Sequence, residues 1–249
     1  MSKGVLLYCF DTEQTQYHRI MDRCISLIKK NLALDITVIT NERTLSVWPN
    51  KENCNTIVME QEVGNRRDRQ DWYNLDRCHA YDLSPYDKTL LLDIDYFCYT
   101  NNLLQYLESD YDFLISNSIH DLTGRDLYKF STNSVIPMIW ATVIVFKKSA
   151  KAQSIFDMVK HIKSNYQYFC ELYRIDFKNF RNDYAFAMAL NQIDADSNQN
   201  FFPAKLPTLP VDATVVSFQD TGIDCQFNDK IIYIRDQDAH VLNKEIANV

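Results

Sequence analysis

Apolar runs of strand length recur through the first hundred residues with helical patterns between them, and few architectures satisfy that order. Gly4 to Phe10 (GVLLYCF) is followed by Ile20, Cys24, Ile25, Ile28 and Leu32 at helical spacing, then by Ile36 to Thr40. The theme repeats with Thr56 to Met59, a helix expected through Trp72 to Tyr81, and Lys88 to Leu92. Strand, helix, strand at short spacing predicts an α/β fold with a Rossmann-like, mostly parallel central sheet flanked by helices.

The second half continues the pattern. Asp112 to Ser116 and Ala141 to Phe146 are strand candidates, and Ile155, Phe156, Val159, Ile162, Tyr166 and Phe169 form an apolar helical stripe. Asn182 is placed to cap a helix from Asp183 to about Asn191. A proline-rich loop (Pro203, Pro207, Pro210) and a strand over Lys230 to Ile234 complete the chain. No repeat or linker divides residues 1–249, so one domain is expected, with 1–100 as a nucleotide-binding half and 101–249 as an acceptor-side half.

Composition removes several classes. The four glycines (Gly4, Gly64, Gly124, Gly222) are isolated, so neither a dinucleotide fingerprint nor a P-loop can be written. Seven scattered cysteines, without a Cys-x-x-Cys pair, suit free thiols in a reducing compartment. No signal peptide or membrane span is legible, which leads to an expectation of a soluble, cytoplasmic protein. A formal charge of −7 argues against sequence-independent nucleic-acid binding.

The chemistry gathers at LLLDIDYFCY, residues 90 to 99, where a buried strand runs into Asp93 and Asp95. Ligands of open α/β sheets collect at the carboxyl ends of strands. Two carboxylates one residue apart in extended backbone point the same way and can share a hard cation, Mn²⁺ or Mg²⁺. Asp110/Asp112, Asp194/Asp196 and Asp236/Asp238 repeat the spacing without the apolar approach, and read as loop acids or caps.

The segment NLDRCHAYDLSPYDKTLLLDIDYF, residues 74 to 97, resembles the central block of GT-A glycosyltransferases, the glycogenin-like family 8 enzymes in particular. That resemblance implies a nucleotide-sugar donor, usually a UDP-sugar, bound through a divalent metal on Asp93 and Asp95. Arg77 matches a basic residue that contacts the donor's phosphate or ribose, a role a guanidinium fork suits; an ion pair with Asp76 or Asp82 is the structural alternative. His240 and Lys244, in KIIYIRDQDAHVLNK, resemble a closing His-Gly-Lys motif that supplies a third metal ligand and a diphosphate contact, shorter here by one residue and with Asn243 near the glycine position.

Further matches are looser. Phe10, Asp11, Thr12 and Tyr17 resemble the loop that receives the nucleotide base, where an aromatic face can stack. Asp183 in NDYAFAMAL matches an acid that acts on the donor sugar or as general base. Trp140 and Thr142, in IWATVIVF, stand where family 8 carries Asn and Gly, so the sugar is expected to differ. Arg66, Arg67 and Arg69 form a basic run, either an anion clamp or a solvated loop. The acceptor is left open between glycan, protein, small molecule and modified DNA base. Alternative readings are a sugar-phosphate nucleotidyltransferase and a non-catalytic nucleotide-sugar-binding module.

Overall fold

The computed structural model describes residues 1–60, 65–67, 70–72, 75–125, 136–175, 179–194 and 198–248. Strand β1 (Lys3–Tyr8) leads to helix α1 (Tyr17–Asn31), β2 (Asp35–Thr40), α2 (Glu42–Val47) and β3 (Asn55–Val58). Strands β4 (Asn65–Arg67) and β5 (Gln70–Trp72) pair as a hairpin, followed by a 3-10 turn over Leu75–His79, α3 (Ala80–Leu83) and β6 (Lys88–Leu92). Next come β7 (Tyr96–Phe97), α4 (Leu104–Glu108), β8 (Phe113–Ser116), β9 (Ile119–Asp121) and β10 (Trp140–Lys147). Helices α5 (Ala150–Ser164), α6 (Tyr166–Leu172) and α7 (Asn182–Asp194) precede β11 (Leu206–Leu209), β12 (Thr214–Gln219), β13 (Gly222–Phe227), β14 (Lys230–Arg235) and β15 (Ala239–Val241).

The central sheet has the order β3-β2-β1-β6-β10-β8, parallel throughout except for β10, which runs against both neighbours. Both faces are covered, which is why its strands read as continuous apolar runs. Val5, Leu7, Leu90 and Leu92 face α1 and the second sheet, while Leu6, Leu91, Ile144 and Phe146 face α5 and α7. A second sheet, β7-β15-β11-β9, and an antiparallel β12-β13-β14 sheet build the other layer.

Several elements differ from the sequence expectation. The helix through Trp72 to Tyr81 is instead strand, 3-10 turn and a single turn of α-helix. The stripe from Ile155 to Phe169 breaks at Asn165, where φ −127° and ψ 33° leave the helical region and separate α5 from α6. Asn182 is the first helical residue and not a cap outside it. Pro207 sits within β11, paired in register with His120. Of the basic run, Arg66 and Arg67 fall on β4 and Arg69 lies outside the described residues.

Candidate active site

Register places the site. The pairing of Leu7 with Leu92 brings the carboxyl ends of β1 and β6 side by side, so the segment after Tyr8 and the Asp93 turn share one edge of the sheet. Asp93, Ile94 and Asp95 are not extended. The Tyr96 N–H donates to the Asp93 carbonyl at 3.1 Å, closing a turn over Asp93–Tyr96, and the Asp93 N–H donates to the Thr142 carbonyl of β10 at 2.9 Å. The two carboxylates therefore converge through a turn, which corrects the same-side argument made from an extended backbone.

His240 arrives by a strand ladder. It pairs with Tyr96 across β15 and β7, and the Val241 N–H donates to the Asp95 carbonyl at 2.9 Å. One ligand atom each from Asp93, Asp95 and His240 lies within 4.8 Å of the others. His240 Nε2 is 3.6 Å from Asp95 Oδ1, too far for a hydrogen bond, and its Nδ1 is buried without a hydrogen-bond partner. Burial, outweighing the pull of Asp93 and Asp183, lowers the imidazole to about 4. At neutral pH it is therefore the uncharged ring that ligates metals. Two carboxylate oxygens and a neutral imidazole nitrogen, one of its nitrogens unsatisfied, form a donor set that fits a divalent cation.

Each acid of the site holds its own cation. Arg77 Nη1 contacts Asp93 Oδ1, Lys244 Nζ contacts Asp95 Oδ2, and Arg181 Nη2 donates to Asp183 Oδ2 at 2.9 Å. The alternative partners proposed for Arg77 are taken elsewhere: Asp76 pairs with Lys163 and Asp82 with Lys160, both at 2.8 Å. Arg77 is buried, and its Nε and Nη2 have no hydrogen-bond partner. Burial lowers Lys244 to about 8 against the opposing effect of Asp93. Asn243 caps the short turn that carries Lys244, its Oδ1 accepting from the Glu245 N–H at 3.0 Å.

Asp183 reaches the same region from the start of α7, where its Oδ1 accepts the Ala141 N–H at 2.9 Å. The neighbouring Trp140 ring stands edge-on to His240, centroids 6.3 Å apart. Asp93, Asp95, His240, Arg77 and Lys244 thus form one cluster, with Trp140 beside it and Asp183 close enough to act on His240 electrostatically.

The base-loop residues are less uniform. Phe10 is packed in the core with Tyr8, Thr12 Oγ1 accepts the Thr15 N–H at 3.0 Å, and Tyr17 is half-buried at the start of α1. Sequence reading missed what organises this loop. Asp11, 4% exposed, accepts from the His18 N–H at 2.9 Å and meets His18 Nδ1 at 2.5 Å, while its own N–H donates to Thr44 Oγ1 at 2.8 Å. A histidine on the apolar side of α1 was the only available signal. Asp238 is likewise structural: buried, it accepts from Thr100 N–H and Oγ1 and from the Tyr96 hydroxyl.

No protein-family model matches the chain, and no curated protein matches its sequence. Solved structures do match. An active-site mutant of LgtC aligns with a TM-score of 0.52 at 13% identity, over 76% of this chain and 69% of that one. The galactosyltransferase LgtC in complex with donor and acceptor sugar analogs gives 0.51 at 13%, over 80% and 72%. Mouse xyloside xylosyltransferase 1 in its apo form gives 0.50 at 10%, over 81% and 84%. Among the described residues no helix is long and apolar enough to cross a membrane. The similar structures are GT-A glycosyltransferases, and a mixed α/β body with a mostly parallel central sheet flanked by helices gives this chain the same fold.

Proposed function

We propose that the chain is a metal-dependent glycosyltransferase that moves a sugar from a nucleotide-sugar donor, of the UDP class, to a hydroxyl acceptor. The observation that carries this reading is the convergence of Asp93, Asp95 and a neutral His240 at the carboxyl edge of a GT-A sheet, with two cations already in contact. Residues 1–100 would hold the nucleotide and 101–249 the acceptor side.

Asp93, Asp95 and His240 would hold the ion, and imidazole among hard oxygens favours Mn²⁺ over Mg²⁺. When bound, it supplies positive charge against the diphosphate that accumulates negative charge as the glycosidic bond breaks. Arg77 and Lys244 then have no further need to neutralise Asp93 and Asp95, and can turn to the departing diphosphate. Arg77 is prepared for this, because the unfilled Nε and Nη2 form one edge of its planar fork. Both Asp183 oxygens already accept hydrogen bonds, so their remaining lone pairs suit sugar hydroxyls. Trp140 would wall the sugar pocket, and Tyr17 and Thr12 would border the base.

Incubation with a panel of UDP-sugars and Mn²⁺, reading released UDP, tests the proposal. Wild-type protein should release UDP only with metal, and Asp95→Asn should reduce the rate by about 100-fold or more. Turnover that survives EDTA, or survives Asp95→Asn, overturns the metal site. Donor that binds and is recovered intact, with and without candidate acceptors, assigns a binding module instead.

A further inference from the structure

Behind the turn that carries Lys244 lies a second cleft of about 410 Å³, bounded by α1, β7, β12 and the segment Lys244–Asn248. That size is within the range that holds a small ligand. Its floor is apolar, made by Ile20, Phe97, Phe218 and Ile246, with the Phe97 and Phe218 rings edge to face at 5.3 Å. Its rim carries Arg19 and Arg23, one helical turn apart on α1 and therefore on one face.

Both guanidiniums lack an acidic partner among the described residues, as Arg43 and Arg174 also do, but Arg19 and Arg23 line one cleft together. Arg77, Arg125, Arg181 and Arg235 each meet an aspartate. Arg19 and Arg23 meet no carboxylate among the described residues, in a chain with 33 acidic and 26 basic side chains. Asp22 between them also lines the cleft, its carboxylate accepting from the Trp48 indole at 2.6 Å and from Asn50 at 2.8 Å. Arg23 instead lies over the Phe218 ring, 3.9 Å from its centroid, a stacking that steadies the planar fork without using its N–H groups.

We propose that this cleft is a second anion site, separate from the Asp93 centre, which takes a phosphoryl or pyrophosphoryl group on Arg19 and Arg23 and seats the attached group on the apolar floor. Two forked donors one turn apart recognise oxyanions bidentately, and an apolar floor suits the group attached to them. The site would communicate with the metal centre, because Lys244, at the start of one five-residue turn, contacts Asp95 while Ile246, Ala247 and Asn248 of the same turn line the cleft. This inference does not rest on the sugar-transfer reading.

Calorimetric titration of the full chain with inorganic pyrophosphate in EDTA tests it, since Arg77 and Lys244 then remain on their aspartates. Saturable binding is expected, and the Arg19→Ala/Arg23→Ala double variant should weaken it by about tenfold or more. Arg23→Lys keeps the charge but loses the fork, and should weaken it several-fold. A parallel titration with UDP separates the two sources: tighter binding than pyrophosphate through the same arginines identifies a nucleotide, and equal binding a free anion. No saturable binding, an unchanged affinity in the double variant, full affinity in Arg23→Lys, or binding lost only in Lys244→Ala would each overturn the proposal. Melting temperatures of the anion-free variants check that the fold is retained.

Discussion

At the scale of single residues, what decides a side chain's role here is what it meets at the sheet edge. Asp93 and Asp95 were legible because an apolar strand delivers them, yet the geometry that joins them, a turn closed by the Tyr96 N–H, is not written in the spacing. His240 was legible only through a motif resemblance; its burial follows from pairing with Tyr96, a long-range contact that no local pattern encodes. The buried Asp11–His18 contact was not legible, because an acid after a strand reads equally well as a loop residue. Asp11 accepts two hydrogen bonds from His18, so Asp11→Ala leaves buried donors unmet and should cost about 2–3 kcal/mol. Urea unfolding measures this, and a loss under about 1 kcal/mol would show that the network does not hold the loop.

At the scale of elements, the five parallel strands and α1 followed from pattern because two covered faces demand continuous apolar runs, and α1 carries a strong apolar stripe. The antiparallel β12-β13-β14 sheet was mostly missed. Its outward residues include Val216, Ile231 and Tyr233, so the inside-outside alternation that would mark half-buried strands is blurred. Backbone packing is tight in this sheet. A Cβ on Gly222 would collide with the Ile234 carbonyl across the β13–β14 pair, and neither backbone can yield cheaply. Gly222→Ala should therefore lower stability by about 2–3 kcal/mol, read as a shifted urea midpoint. Amide exchange should show the loss concentrated in β12, β13 and β14; uniform weakening of the central sheet would refute that assignment.

At the scale of the whole molecule, the candidate centre joins the middle of the chain to a strand near residue 240, and neither part forms it alone. A cation bound there favours the folded chain by mass action, since the unfolded chain does not hold the three groups together. Mn²⁺ at a hundred times its dissociation constant should add about 2.7 kcal/mol. For a chain of this size that is a rise of roughly 5–10 °C in melting temperature, reversible by EDTA. His240→Ala should forfeit most of the rise, and an equal rise in that variant would place the ion elsewhere.

The short ladder between β15 and β7 also sets when the centre can come into being. As the polypeptide leaves the ribosome, Asp93 and Asp95 emerge well before His240 and Lys244, and they lack that imidazole and that lysine until β15 has docked on β7. Until that docking the carboxylates stand unarmed, so a cation held by all three groups would report that the two distant segments have closed on one another.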